Sequence, residues 1–568
     1  MKIAGKQVPG FIVAIGVVIG LMVLLQIAAW TVLPALIGNT IRSSVGRASG
    51  GLYQMSFDQP QLQLFRQSLS LENVQLTYDT ARVNQSDSLK RKGVYSGSVN
   101  YASVNVGSLW ILLFSDFLSV EDIEIRQPTL YVHRFPAVPP ADSTQQQDPA
   151  PLFNAYRLIR PRLDSLRVES LTVDSAGFRL IKHRSQKQSD TISIDGLRLK
   201  IQEAYVDSVV ARQHHGWPRM QRAVLSWHHP TLTSVDSLYN YLADSLQIDL
   251  LKGSFALHQF SAEPRWDKYE MGQQFNQTVN WMELEVDSLT ATAINFPLLT
   301  DSLILKAERL AIHQADFTLF RDLRLPEGPD GNPQARPLPQ ERLRSLPIPL
   351  RIDTIVVTKS NLRYEERREY SEELGYVAFN DTDATLYGIT NLPQDSGSVL
   401  VADARTRLMD QGAAKLHFEF PLSSPNGVHR ITGSMDQMDM SQINPASEPL
   451  AATEIESGTA QQMEFDMDLD NQQATGNVQL RYENLEVSLM KKRSPDQAKG
   501  LKSWLANAIV IKKSNPMDGG SLRPGPIQAQ RDSTASVFNF WWSGLKSGLM
   551  VSLGISSSSS GQSTSDSE

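Results

Sequence analysis

The chain has 568 residues, of which 41% are hydrophobic and 20% charged, a balance ordinary for a folded protein. Its net charge of −7 argues against a nucleic-acid binder, which carries a basic patch or stripe. The complete absence of cysteine removes disulfides, Cys-ligated zinc, iron–sulfur clusters and cysteine nucleophiles at once, without choosing a compartment.

Residues 11–33 are apolar or small almost throughout, with Gln26 the main polar interruption. A bilayer core needs ~20 such residues in a helix. Lys2 and Lys6 precede the run and Arg42 and Arg47 follow it, which favours a cytoplasmic N-terminus and a body outside the cytosol. A cleaved signal peptide would have a shorter apolar core and a small-x-small site behind it. Here Trp30, Pro34 and Ile37 stand where that site belongs, so an uncleaved anchor is expected, with Trp30 at the membrane interface.

Strand signals begin after Gly50–Gly51. YQMSFDQPQLQLF (53–65) and LSLENVQLTYD (69–79) alternate, and YASVNVGSLWILLF (101–114) ends in a fully apolar run. Residues 138–151, rich in Pro, Gln and Asp, read as a loop, and 151–165 carry apolar residues at helical spacing. Residues 234–248 read as a short helix with an Asp/Ser start. ISIDGLRLKI (192–201) and LQIDLLKGSFALHQF (246–260) read as strands, the latter with Gly253 in a small-residue slot. The proline-rich stretch 325–349 lacks donors for a central strand and is expected as a long loop interrupting the sheet, with one short helix near 340–345. Strands resume to about Met490. Recurrent Asp–Ser pairs such as Asp87–Ser88 and Asp244–Ser245 read as caps and turns. Residues 501–510 look helical, 535–555 form a dense apolar segment charged only at Lys546, and the serine-rich tail 556–568 is expected to be disordered.

A short pattern recurs in this chain. VEDIEIRQPTLYV starts at Val120, VESLTVDSAGFRL at Val168, AERLAIHQADFTL at Ala307 and IDTIVVTKSNLRY at Ile352. Each copy is apolar at positions 1, 4, 6, 11 and 13 and has a small residue or proline at position 9. Two stretches of period-two alternation predict strands with one wet and one apolar face.

Chemistry is harder to find. His214–His215 and His228–His229 would suit zinc only if a hairpin joined them, and surface histidine is the simpler reading. Glu464, Asp466, Asp468 and Asp470 alternate with Phe465, Met467 and Leu469, which fits the solvated face of an amphipathic strand better than a calcium site. No G-x-S-x-G, P-loop or G-x-G-x-x-G fingerprint stands out, so no catalytic residue, metal or cofactor is assigned and the chain reads as a non-enzyme. Residues 535–555 read either as an interfacial amphipathic helix, with Trp541 and Trp542 as membrane-interface candidates, or as a helix capping the protein's own sheet.

The anchor followed by YQMSFDQPQLQLFRQSLSLENVQL, then GSVNYASVNVGSLWILLFSDFLSVEDIEIRQPTLYVHR, resembles the AsmA-like family of Gram-negative envelope proteins. GSMDQMDMSQINPASEPLAATEIESG and ATGNVQLRYENLEVSLM are similar to that family's C-terminal region. The resemblance implies a single-span inner-membrane protein with a periplasmic body, a curled β-sheet with an apolar groove, and a role in phospholipid movement and outer-membrane homeostasis.

The expected architecture is therefore mainly β. A transmembrane helix (11–33) follows a cytoplasmic N-terminus (1–10). After it come an elongated, curled, antiparallel-rich sheet with a few short helices (50–490), a helical C-terminal region (491–555) and a tail (556–568). The expected function is lipid binding or transfer, with phospholipid or another acyl lipid shielded by Ile123, Ile125, Leu171, Val173, Leu310, Ile312, Ile355 and Val357. These are positions 4 and 6 of the four copies. The alternative is an envelope assembly factor using the sheet as a scaffold for partner proteins.

Overall fold

The computed structural model describes the chain except residues 1, 4–5, 8–32, 64–66, 107–115, 136–155, 157–162, 184–188, 214–216, 235, 327–335, 370, 490–510, 518–519 and 556–568. The expected anchor, with Trp30, lies outside the described residues apart from the backbone of Leu33, where helix α1 (Leu33–Ala48) begins. Among the described residues no helix is long and apolar enough to cross a membrane. The expected helices at 151–165 and 501–510 fall almost wholly outside them, as do the loop 138–151, the apolar end of 101–114 and the pair His214–His215.

The chain is mainly β and divides into two compact units. The first comprises Met1–Asp236, Ala243–Phe255 and Phe296–Ser302. Its long strands are β1 (Ser68–Tyr78), β2 (Val94–Val106), β3 (Phe117–Arg134), β4 (Ser165–His183), β5 (Ser189–Asp207) and β6 (Arg222–His228). They pair in chain order, antiparallel except for β3 and β4. Ser245–Asp249 extends the sheet beyond β6.

The second unit comprises Ser237–Leu242, Ala256–Asn295 and Leu303–Glu568. Its sheet runs β7 (Asn280–Thr292), β8 (Leu305–Asp322), β9 (Leu350–Arg367), β10 (Gly375–Thr390), β11 (Val399–Leu408), β12 (Gly412–Pro421), β13 (His429–Met435), β14 (Thr453–Leu469), β15 (Gln473–Leu489) and β16 (Gly525–Gln530). Among the described residues of this sheet only β8 and β9 pair in parallel. Among the described residues α-helices α2 (Lys268–Phe275), α3 (Pro339–Arg344), α4 (Asn444–Ala451) and α5 (Val537–Ser552) accompany it.

The four repeat copies are the two parallel pairs. Val120 registers with Val168, Ile123 with Leu171 and Ile125 with Val173. Ala307 registers with Ile352, Leu310 with Ile355 and Ile312 with Val357. Parallel neighbours need a long crossover between them. The proline-rich stretch 325–349, expected from its lack of donors to interrupt the sheet, does not do so. It lies within the connection that lets β8 and β9 pair side by side, and it carries α3 close to where a short helix is expected. There the Leu338 N–H donates to Glu341 Oε2 at 2.8 Å.

Position 8 of every copy is left-handed: Gln127 has φ 50°, Ser175 55°, Gln314 49° and Lys359 50°. A kink of this kind uses up one residue without alternating, so the side-chain pattern resumes with its phase reversed. That is why apolar positions 4 and 6 are followed by 11 and 13. The register demonstrates it in the second unit. Ala404 and Leu408 share a face of the unbroken strand β11. Ala404 leads through Ala384 to Val357 at position 6, and Leu408 leads through Phe379 to Leu362 at position 11.

Three other expectations are corrected. The described residues of 234–248 form no helix. They give strands Tyr239–Leu242 and Ser245–Asp249, because Tyr239 to Leu242 find ladder partners in Pro264 to Ser261, which a lone turn of helix does not offer. Residues 246–260 are two strands rather than one, broken by a turn in which the Asp249 carboxylate accepts from the N–H groups of Leu251 and Lys252 and Gly253 has φ 62°. Likewise 53–65 splits into Tyr53–Ser56 and Gln61–Gln63.

Candidate functional site

Cross-strand partners share a face, so register turns single apolar residues into rows. In the first unit one row runs Leu62, Leu69, Val104, Ile123, Leu171, Ile201, Ala223. A second runs Leu71, Ala102, Ile125, Val173, Leu199, Leu225, Ile248. In the second unit the row Ala291, Leu310, Ile355, Leu386, Ala402, Phe418, Ile431, Met467, Gly476, Ile527 crosses ten strands without a polar side chain. Beside it runs Leu289, Ile312, Val357, Ala384, Ala404, Leu416, Gly433, Phe465, Val478. The eight predicted residues thus sit two by two in these rows, and all eight are half-buried. Tight burial in the second unit gathers instead at one end of the face, around Ile431, Met467, Val478, Ile527 and Phe540.

Helix α5 makes that end. Ser536 caps it, accepting from the Asn539 N–H. It turns Phe540, Gly544, Gly548 and Ser552 into the sheet. The glycines allow close approach: a Cβ on Gly548 would meet the Gly525 carbonyl oxygen at 2.7 Å. A buried polar network ties the helix end down. Asn515 Nδ2 donates to Ser552 Oγ at 3.1 Å, Arg523 Nε donates to the Ser552 carbonyl at 2.9 Å, and Arg523 Nη2 reaches the Tyr482 hydroxyl at 3.1 Å. The two interface candidates part company. Trp541 is half-buried against Phe418 and Phe420 and donates to His429, whereas Trp542 is 54% and Phe538 61% exposed. Capping of the protein's own sheet is what the inner side of this helix does.

The opposite face of the second unit is polar. Asp383, Arg405, Lys415, Ser434, Glu464 and Gln479 form one row, and Thr385, Asp403, His417, Thr432, Asp466 and Asn477 another. A concavity of about 890 Å³ lies along these rows. His417 Nδ1 bonds Asp403 at 2.7 Å, and Asp403, with help from Glu419, holds the imidazole pKa above its usual value. Asp466 is paired with Arg430, and Met467 and Leu469 are buried behind the acids, so the acidic run is the wet side of a strand. Among the described residues no group of His, Asp or Glu is arranged to hold a metal.

The apolar face of the second unit continues past the kink. Leu284, Phe317, Leu362, Phe379 and Leu408 form one row and Met282, Leu319, Tyr364 and Val377 the next. It stops at a polar row, Asn280, Arg321, Glu366 and Gly375. The Glu366 side chain is buried; it accepts from the Tyr364 hydroxyl at 2.6 Å and pairs with Arg368. Burial, and then the Glu366 charge, push the Tyr364 hydroxyl pKa upward. On the other face Glu365 is held by Lys268 at 2.8 Å and Arg363 at 2.7 Å.

The sequence reading missed most members of the rows, including Leu386, Phe418 and Leu416, although their own period-two alternation was available. It also missed the polar end row, because nothing in a strand's pattern says where its neighbour's charges fall. No protein-family model matches this chain, and no curated protein matches it.

Proposed function

We propose that this protein is a membrane-anchored periplasmic lipid-binding and lipid-transfer protein of the AsmA-like type, acting in outer-membrane homeostasis. The observation that carries the reading is the pair of apolar rows in each unit, unbroken across up to ten strands and only half-buried over positions 4 and 6. An acyl chain laid on such a face is removed from water at about 0.8 kcal/mol per methylene. A dozen methylenes therefore supply about 10 kcal/mol before the cost of ordering the chain. No side chain performs a reaction.

The test is lipid analysis by mass spectrometry of the full chain extracted in mild detergent. Acyl lipid should co-purify, and Leu310→Asp with Ile355→Asp should remove most of it. Thr385→Asp, on the other face, should not. A full chain that carries no lipid and crosslinks none would overturn the reading. The scaffold alternative draws on one feature, the polar concavity over Asp383, Arg405 and Lys415, and predicts a protein partner instead of lipid.

A further inference from the structure

We propose that Arg321 is the headgroup anchor of a lipid whose acyl chain lies along the adjoining rows of Leu319 and Phe317, and that the ligand is a lipid bearing an anionic phosphate or carboxylate. The inference rests on the lipid-binding reading and specifies its ligand.

Arg321 stands on the apolar face by simple alternation with Phe317 and Leu319, and no register shift intervenes. Its guanidinium meets the Tyr364 hydroxyl, a neutral partner, while its Nε is buried and has no hydrogen-bond partner. Its direct cross-strand neighbour Glu366 is the obvious counter-ion, yet that carboxylate is taken by the Tyr364 hydroxyl and Arg368. Among the described residues no carboxylate lies within ion-pair distance of the Arg321 guanidinium. A half-buried guanidinium with a buried, unpaired N–H is costly unless something negative completes it. Guanidinium is also the side chain best shaped to take a phosphate or carboxylate through two parallel bonds.

The geometry behind it fits an acyl chain. Half of a bilayer's hydrocarbon core is about 15 Å. At about 3.3 Å per residue, the five steps from Leu319 to Gln314 span about 16 Å. Gln314 is the left-handed kink, and the apolar face continues beyond it through Ile312 and Leu310, so the lane is at least as long as one leaflet is deep. Leu284, Phe317, Leu362 and Phe379 form its floor.

The test uses the full chain in non-ionic detergent micelles containing a photoreactive phosphatidylglycerol or a photoreactive diacylglycerol with the same chains. Crosslinking to the charged lipid should exceed that to the neutral one by about tenfold, the worth of one charge-assisted hydrogen bond. Arg321→Gln should bring the charged lipid down to the neutral level and leave the neutral lipid unchanged. Arg321→Lys, which keeps a cation, should retain part of the preference and guards against a folding defect in the glutamine variant, as does an unchanged melting temperature. Millimolar inorganic phosphate should leave the preference intact. Displacement of the lipid by free phosphate would assign the guanidinium to a soluble anion and overturn the headgroup role. Equal crosslinking of both lipids to the native chain would overturn it too, while leaving lipid binding standing. Crosslinking of neither would overturn the reading on which it rests.

Discussion

Trp541 donates its indole N–H to Nε2 of His429 at 3.0 Å, and His429 donates from Nδ1 to the Gly427 carbonyl at 2.8 Å. The imidazole is 1% exposed and stacks on Phe420. Both ring nitrogens are therefore committed, one as donor and one as acceptor, and only the neutral ring satisfies both. This bond joins helix α5 to the end of the apolar face, and Ser547 and Ser552 continue the attachment, Ser547 Oγ accepting from the Gln528 N–H at 3.0 Å and Ser552 Oγ from Asn515 Nδ2 at 3.1 Å.

Burial holds the His429 pKa below its usual 6.5, with Arg531 lowering it further and the Gly427 bond, Asp470 and Glu341 opposing. The sign follows from proton counts. Below about 6.5 the unfolded chain binds a proton that the folded ring refuses, so stability falls as pH drops from 6.5 towards the depressed folded value and then levels. His429→Gln keeps a donor and an acceptor but cannot titrate. Melting temperature plotted against pH should be flatter in this variant over that window. Superimposable slopes would show that His429 does not carry the effect. His417 works in the opposite sense: its raised pKa adds stability that is full below about 6.5 and is lost as pH rises through the folded value. Its side chain is 39% exposed, so that contribution is small.

Glycines 544 and 548 look interchangeable on a helix but differ in what faces them. A Cβ at 548 would meet the Gly525 carbonyl oxygen and Val478 Cγ2, both at 2.7 Å, whereas one at 544 meets Ala474 Cβ and Met467 Sδ at 3.2 Å. Gly548→Ala should destabilise by about 1–3 kcal/mol despite the gain in helix propensity. Gly544→Ala, where a gain of about 1 kcal/mol opposes mild crowding, should come out near neutral. Denaturant midpoints of the two variants check the contrast, and equal losses would contradict it.

The left-handed residues at position 8 invert ordinary strand preferences. Lys359 has φ 50° and its N–H donates to Asp383 at 3.0 Å. A left-handed non-glycine residue costs roughly 1–2 kcal/mol. Lys359→Gly should therefore raise stability by up to about 1 kcal/mol, after the entropy that glycine adds to the unfolded chain. Lys359→Val, favoured in a regular strand, should lower it. Chemical denaturation distinguishes these outcomes, and a stabilising valine would mean the kink is not formed.

The parallel pairing of the first two repeat copies can be trapped covalently, since the chain has no cysteine of its own. Asp122 and Ser170 are registered partners on β3 and β4. Asp122→Cys with Ser170→Cys should form a disulfide on mild oxidation, because neighbouring strand positions fall within the usual ~4.4–6.8 Å Cα separation. Asp122→Cys with Thr172→Cys, two residues out of register, should not. Mass spectrometry of the oxidised, unreduced protein reads the result directly.

Much of this was legible in the chain itself. The repeat spacing of 48 residues between Val120 and Val168, and of 45 between Ala307 and Ile352, equals the register offset of the two parallel pairs. Amphipathic strands, the short helix near Gln340 and the wet side of Glu464 to Asp470 followed from local pattern alone. The phase change between positions 6 and 11 was visible as well, but its cause was not. A left-handed residue such as Gln127 or Lys359 carries no residue-type signal, since neither is the glycine or asparagine that usually marks one.

By itself, then, the sequence determined which residues alternate, which are apolar and where the chain must turn, because these depend on near neighbours and on backbone sterics. Only the tertiary structure decided that the copies lie side by side in parallel, that Trp541 faces inward and Trp542 outward, and that Arg321 stands at the end of the apolar rows with its Nε buried and, among the described residues, unpaired. Those facts arise from hydrogen-bond register between strands far apart in the chain, and a single strand's pattern holds no record of its partner.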